Sequence, residues 1–70
     1  MLGLCLKDKR EEKRLTQEEL AAKSGVTRQT ICSIETDENY NPTFNTLMKL
    51  SEALDCTIEE LFFSSKRSIN

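Results

Sequence analysis

The segment from residue 17 to residue 36 constrains the fold most, because small, turn-forming and apolar residues lie in it at fixed offsets. Its sequence is QEELAAKSGVTRQTICSIET. Ala21 has the small side chain that two closely crossing helices need, and Gly25 supplies the left-handed backbone of a sharp turn. Ile31 and Ile34 recur at helical spacing, so they would press the second helix onto the first. The pattern predicts two short helices that are joined by a tight turn and packed against each other.

Helix-start signals elsewhere predict further helices. Thr16 and Glu19 have the spacing of a capping box, in which the threonine hydroxyl accepts from a backbone amide and the glutamate reaches back. Thr57 and Glu60 repeat that spacing. No segment has a sustained apolar period of two, so we expect an all-α fold whose core is built from the leucine, isoleucine and phenylalanine side chains. The predicted helices cover about residues 3–13, 16–24, 27–36, 43–54 and 57–62.

The composition excludes several classes of protein. The chain has 10 basic and 12 acidic residues and a net charge of -2. Because it contains no histidine, a histidine-based catalytic triad, a histidine metal site and a histidine pH switch are excluded. No apolar run approaches the ~20 residues of a membrane span, so we expect no membrane partner. The residues before Lys7 are too few for a secretory signal, which favours a cytoplasmic protein.

The cysteines and the lack of catalytic patterns narrow the function further. Cys5, Cys32 and Cys56 are widely spaced and form no C-x-x-C pair, so we expect neither a disulfide framework nor a metal site. The sequence shows no nucleophile–base pair, no paired carboxylates for a pocket and no glycine-rich phosphate loop. A domain of this length buries only about 60% of its unfolded surface, which leaves little room for a deep pocket. We therefore expect no enzyme and no cofactor.

The sequence resembles the Cro/cI-type helix-turn-helix regulators, also called the xenobiotic-response-element (XRE) family. The resemblance covers about residues 4–63, with the helix-turn-helix at 17–36 and a tail at 64–70. It implies a five-helix, lambda-repressor-like DNA-binding domain. The segments that carry it are LTQEELA (15–21), GVTRQTI (25–31), IE (34–35), YNPT (40–43), TL (46–47), Leu50 and IEELF (58–62).

In that family the second helix of the motif is the recognition helix, whose first residues meet base edges in the major groove of DNA. The resemblance therefore implies that residues 27–36 enter the groove. A helical wheel anchored on Ile31 puts Gln29 and Ser33 on the side away from the core. Gln29 can pair bidentately with adenine, and Arg28 can contact guanine or a phosphate. The DNA-binding residues that the resemblance implies are Gln17, Thr27, Arg28, Gln29, Thr30, Ser33, Thr43 and Phe44.

Helix N-termini and one ion pair account for the remaining implied roles. The side chain of Gln17 and the backbone amides of Thr43 and Phe44 would contact phosphates, because free amides at a helix start favour an anion. The resemblance pairs Arg10 with Glu35 inside the fold, and a phosphate contact by Arg10 is the alternative. Interleaved acidic residues favour a solvated face over DNA contact for the basic run Lys7, Lys9, Lys13 and Arg14.

Two features of the sequence depart from the family pattern. The loop after the recognition helix carries Asp37 and Glu38, whose carboxylates should weaken binding near a phosphate path. Arg14 stands where a glycine is common, and a left-handed arginine costs about 1 kcal/mol.

Among the thiols, we expect Cys56 in the core and Cys32 nearer the DNA-facing side.

These observations predict a sequence-specific, double-stranded DNA-binding transcriptional regulator. We expect it to be a repressor. We also expect it to bind a two-fold operator as a homodimer, because one small module offers few base contacts. The predicted dimer contact is the fifth helix with the tail, through Phe62, Phe63 and Ile69. The alternative is a protein-interaction module of the same fold, such as an antitoxin-like partner. Residues 36–70, with three basic and six acidic groups, favour that alternative.

Overall fold

A computed structural model describes residues 4–62 of the chain. Its elements are α1 (Leu6–Glu12), α2 (Gln17–Ser24), α3 (Arg28–Thr36), α4 (Phe44–Ala53) and α5 (Ile58–Phe62). The described residues contain no strand, which confirms the all-α fold and the five predicted helices. None of these helices has the length and hydropathy that a bilayer crossing requires. The sequence predictions for Gly3, Phe63, Ile69 and the tail at 64–70 lie outside the described residues.

Both predicted capping boxes are confirmed. The Thr16 hydroxyl accepts from the Glu19 amide at 3.0 Å, and the Glu19 carboxylate accepts from the Thr16 amide at 2.8 Å. Thr57 and Glu60 make the same two bonds at 3.1 and 2.8 Å. The hydrogen bond from the Thr57 backbone amide lowers the pKa of the Glu60 carboxyl. These bonds satisfy amides that have no partner within the helix, so they define where α2 and α5 begin.

Single threonine caps begin the other two long helices. The Thr27 hydroxyl accepts from the Thr30 amide at 3.2 Å and donates to the Thr30 hydroxyl at 2.9 Å. Thr43 makes the same pair of bonds to Thr46, at 3.1 Å from the amide and 3.0 Å to the hydroxyl. The predicted cap at Thr27 and the predicted start at Thr43 are therefore confirmed, with α3 and α4 each beginning one residue later.

The start of α1 differs from the prediction. The helix begins at Leu6 rather than near Gly3, and Cys5 occupies its N-cap position. The Cys5 amide donates to the carbonyl oxygen of Leu61, and its thiol donates to the carbonyl oxygen of Phe62 at 3.6 Å. Cys5 is therefore hydrogen-bonded to α5. This contact joins residues far apart in the sequence, so a local sequence pattern does not predict it.

The core joins every helix through six fully buried side chains. Each helix contributes one of them, and the last belongs to the residue that caps α4 at its C-terminus. Full burial of one such side chain is worth about 1.5–3 kcal/mol, so this cluster fixes how the short helices pack. α2 packs against both α3 and α4. The six side chains are those of Leu6, Leu20, Ile31, Leu50, Leu54 and Leu61.

The turn between α2 and α3 needs a glycine for its backbone conformation. Gly25 has φ 80°, and its amide donates to the carbonyl oxygen of Ala21 at 2.9 Å. A Cβ at this position would meet no atom within 4 Å, so the constraint is the left-handed conformation rather than space. The next residue, Val26, is buried, and its amide donates to the Ser24 hydroxyl at 3.1 Å. The turn is thereby fixed at both ends.

Arg14 adopts the left-handed backbone conformation that the family resemblance predicts. Its φ is 60°, and within the described residues Asp55, with φ 55°, is the other non-glycine residue of this kind. The Arg14 amide donates to the carbonyl oxygen of Glu11 at 3.0 Å as α1 ends. Aspartate tolerates this region better than arginine does, so the strain is concentrated at Arg14.

We expect Arg14→Gly to raise the free energy of unfolding by about 1 kcal/mol, because glycine adopts a left-handed backbone without the Cβ clash. Arg14→Ala is the matched control, since it removes the same charge but keeps a Cβ. Urea unfolding followed by circular dichroism measures both variants. Equal shifts in the two variants would show that charge, and not backbone conformation, determines the energy at this position.

Candidate nucleic-acid interface

α3 has one face in the core and another at the surface. Ile31 and Ile34 are buried, with exposed fractions of 0% and 8%. Arg28 and Gln29 are exposed, and Ser33 is half-buried. The structure therefore places Gln29 away from the core, as the helical wheel predicts, while Ser33 lies at the margin of that face. The apolar face holds the helix, which leaves the polar side chains of its first turn available for contact.

An internal ion pair joins α1 to α3. Arg10 Nε donates to Glu35 Oε2 at 2.8 Å, and Arg10 Nη2 donates to Glu35 Oε1 at 3.1 Å. The side chains are only 11% and 3% exposed. The hydrogen bond to Glu35 is the main cause that raises the pKa of the Arg10 guanidinium, so the guanidinium stays charged. This is the pairing that the resemblance implies, and it places Arg10 inside the fold, against the alternative of a phosphate contact.

The ion pair extends to α2 and to the connection before it. Arg10 Nη1 donates to the carbonyl oxygen of Leu15 at 2.7 Å. Gln17 Nε2 donates to Glu35 Oε1 at 3.0 Å. Gln17 is the first residue of α2 and is half-buried, so its side chain lies between the ion pair and the surface. Four parts of the chain meet at one carboxylate and one guanidinium. The sequence predicts only a phosphate contact for Gln17, because its link to Glu35 depends on the packing of α2 against α3.

The start of α4 contains the largest departure from the predicted core. Phe44 is 67% exposed and Met48 is 39% exposed, and they are the exposed large apolar residues within residues 4–62. The prediction that phenylalanine side chains belong to the core is therefore wrong for Phe44. Side chains of a helix tilt toward its N-terminus, so the first residue of α4 projects past the buried stripe that Leu47 and Leu50 form. Thr43, the N-cap residue, is also exposed.

The basic run of α1 is divided between surface and interior. Lys7, Lys13 and Arg14 are exposed, as expected for a solvated face. Lys9 is different, because its residue is only 7% exposed and its Nζ lies 3.9 Å from Glu12 Oε1. Its aliphatic stem is buried while its ammonium group lies near an acidic neighbour. The prediction of a solvated Lys9 is therefore wrong.

The loop after α3 exposes the two carboxylates that depart from the family pattern. Asp37 caps the C-terminus of α3 through its amide, which donates to the carbonyl oxygen of Ser33 at 2.9 Å. Its carboxylate accepts from the Asn39 amide at 2.9 Å. Asp37 and Glu38 are both exposed. Negative charge therefore follows directly on α3, where it would oppose the approach of a polyanion.

The thiols do not form a site. Cys5, Cys32 and Cys56 form no disulfide, and the first is buried while the others are half-buried. Burial is the main cause that raises the pKa of Cys56, and the Glu60 carboxylate adds to it. Cys56 packs against the edge of the core, so this side chain is less buried than predicted. Within residues 4–62 no group of cysteine and acidic side chains is placed to hold a metal ion.

Comparison with known proteins identifies relatives across most of the chain. The family model described as helix-turn-helix matches residues 6–61. The transcriptional regulator SinR of Bacillus subtilis is 38% identical over 61 residues, which are 87% of this chain and 55% of SinR. The chain therefore spans about half the length of this curated relative.

Solved structures give the same result. The crystal structure of SinR, a master regulator for biofilm formation, in complex with DNA is 38% identical, with a TM-score of 0.78 over 87% of this chain and 97% of that chain. The complex of SinR with SinI is 33% identical, with a TM-score of 0.81 over 100% of this chain and 68% of that chain. These values confirm the lambda-repressor-like, five-helix fold that the resemblance implies.

We expect Glu35→Ala to lower the free energy of unfolding by about 3–5 kcal/mol, because it leaves the buried Arg10 guanidinium without its partner. A chain of this length has a total stability of only about 4–10 kcal/mol, so the variant should be close to unfolded. Glu52→Ala, at an exposed position of α4, is the matched control and should change stability by less than about 0.5 kcal/mol. Chemical denaturation measures both; similar values would contradict the role given to the ion pair.

Proposed function

Because the chain belongs to the Cro/cI-type (XRE) helix-turn-helix family, we propose that it is a sequence-specific transcriptional regulator that binds double-stranded DNA. The observation that supports this proposal best is the exposure of Arg28 and Gln29 in the first turn of α3, while Ile31 and Ile34 fix the helix from behind. A helix held in this way can enter the major groove with its first residues against base edges.

The base contacts follow from the donors and acceptors of the exposed turn. The Gln29 amide matches the N6 and N7 groups of adenine, and the Arg28 guanidinium matches O6 and N7 of guanine. Ser33, one helical turn beyond Gln29, offers a short hydroxyl at the edge of the same face. Thr27 and Thr30 are already bonded to each other at the start of α3, so any DNA contact they make also depends on the cap.

The phosphate contacts come from the N-termini of two helices. Gln17 opens α2, and Thr43 and Phe44 open α4. Free amides and the positive end of the helix dipole favour an anion at both places. Phosphate contacts of this kind determine how the protein is oriented on the duplex, and they leave the choice of sequence to α3.

We propose a homodimer on a two-fold operator, acting in the cytoplasm as a repressor. The exposed side chains of one α3 reach few base pairs, and a dimer doubles the contacts at half-sites about one helical turn of DNA apart. Phe62 is half-buried against the core, which leaves part of its ring for a second subunit. Phe63 and Ile69, which follow it in the sequence, complete the proposed dimer contact.

The second candidate function is a protein-interaction module of the same fold, such as an antitoxin-like partner. SinR, to which this chain is similar, is found in complex with the protein SinI. The acidic balance of residues 36–70 also favours a protein over a polyanion as partner. Binding to duplex DNA distinguishes the two candidates.

Selection of bound duplexes from a random DNA pool tests the proposed function. We expect a two-fold sequence to emerge, with an affinity that falls steeply between low and moderate salt as the contacted phosphates release counterions. A gel-shift titration against the selected duplex measures this dependence. If no duplex is bound even at low salt, the protein-interaction module becomes the better description.

Gln29→Ala tests the assignment of base contacts. We expect the variant to lose its preference at one operator position, at a cost of about 1–3 kcal/mol for the favoured base, because the bidentate pair with adenine is lost. Glu59→Ala, at an exposed position of α5, is the control and should keep every preference. Titration against single-base operator variants provides the measurement. A Gln29→Ala protein with the wild-type preference at all positions would exclude this base contact.

A further inference from the structure

We propose that Glu35 is a positioning residue that directs the side-chain amide of Gln17 toward a DNA phosphate, with Arg10 cancelling its charge. The proposal rests on the proposed function, since it concerns one phosphate contact of the same interface. It assigns the internal ion pair a role in DNA binding in addition to its role in stability.

The first argument is the hydrogen-bond chemistry of the Glu35 carboxylate. An ionised carboxylate only accepts hydrogen bonds, so the group of Gln17 that faces it must be the NH₂ and not the carbonyl oxygen. Glu35 Oε1 takes one of the two Nε2 protons, at an N–O distance of 3.0 Å. Within residues 4–62 the Gln17 side chain makes no second hydrogen bond, so its other Nε2 proton remains available. Glu35 therefore fixes which face of the amide is presented.

The second argument is the position of Gln17. It is the first residue of α2, and its side chain is half-buried, with the ion pair on its inner side. The available proton therefore belongs to an amide at the boundary between core and solvent, beside the free backbone amides of the α2 N-terminus. A phosphate at this helix start would accept from both the backbone and the Gln17 side chain.

The third argument is electrostatic. An unpaired carboxylate one hydrogen bond away from a phosphate contact would repel the phosphate. Two hydrogen bonds from Arg10, at 2.8 and 3.1 Å, neutralise Glu35, and the pair is shielded from solvent at 11% and 3% exposure. Salt screens buried pairs much less than exposed ones, so the orientation of Gln17 should persist at physiological ionic strength.

The start of α4 provides an internal comparison. The Thr43 hydroxyl bonds to Thr46 within the same turn, and neither residue takes part in the ion-pair network. A phosphate held at this second helix start should therefore be insensitive to Glu35. A general loss of structure would weaken both phosphate contacts, whereas loss of positioning would weaken only the contact at Gln17.

The experiment uses duplexes that the wild-type protein selects from a random pool, with a neutral methylphosphonate replacing one phosphate at a time. We expect each contacted phosphate to show a loss of affinity, of about tenfold where a charge-assisted hydrogen bond is removed. Gln17→Ala should reduce this loss at one phosphate to the part that the backbone amides contribute. Glu35→Gln should reduce it at the same phosphate and leave it intact at the phosphate near α4. The glutamine keeps the volume, but as both donor and acceptor it no longer specifies the Gln17 amide orientation.

A second measurement needs no variant and so does not depend on the stability of Glu35→Gln. In ¹⁵N-labelled wild-type protein, the selected duplex should shift one Nε2 proton of Gln17 much more than the proton bound to Glu35. The proposal is overturned if both protons shift equally, or if Glu35→Gln keeps the full methylphosphonate effect at the Gln17 phosphate. A wild-type protein that selects no duplex would instead refute the proposed function itself.

Discussion

The buried contact between the Arg10 guanidinium and the Glu35 carboxylate is the interaction on which the arrangement of the first three helices depends. Helices of this length are marginal alone, so tertiary contacts must hold them. The apolar core supplies most of the energy, and the bidentate pair adds hydrogen bonds whose geometry is directional. The guanidinium also binds the Leu15 carbonyl oxygen, and the carboxylate binds Gln17. One charged pair thus links α2 and α3 to α1.

Local sequence patterns predicted the helices well where the determining contacts are local. A threonine cap is a bond between residues three apart, so Thr16, Thr27, Thr43 and Thr57 locate helix starts without knowledge of the fold. The conformation of Gly25 likewise depends on its own backbone. The family resemblance added the left-handed backbone of Arg14 and the ion pair between distant residues, which no periodicity predicts.

The remaining differences arise from contacts between residues far apart in the sequence. Cys5 forms hydrogen bonds to α5, and α1 begins only at the next residue, Leu6. Lys9 is buried because the fold covers its stem, although its neighbours are polar. Phe44 is exposed because it projects past the buried stripe that Leu47 and Leu50 form. The partner of Gln17 depends on how α2 packs on α3. Each of these features needs the packed molecule, which is why pattern alone predicted the candidate interface more coarsely than the fold.

The carboxylates of Asp37 and Glu38 have a kinetic consequence for a regulator of the proposed kind. Exposed negative charge beside α3, the proposed recognition helix, would shorten the time that the protein stays bound to arbitrary sequences, where attraction to the DNA backbone is the main source of affinity. Such a protein searches a chromosome by brief landings and frequent hops instead of long one-dimensional slides. Occupancy of a promoter would then depend almost entirely on hydrogen bonds to the correct bases. A single-nucleotide change in a target site would therefore alter the expression of the gene directly.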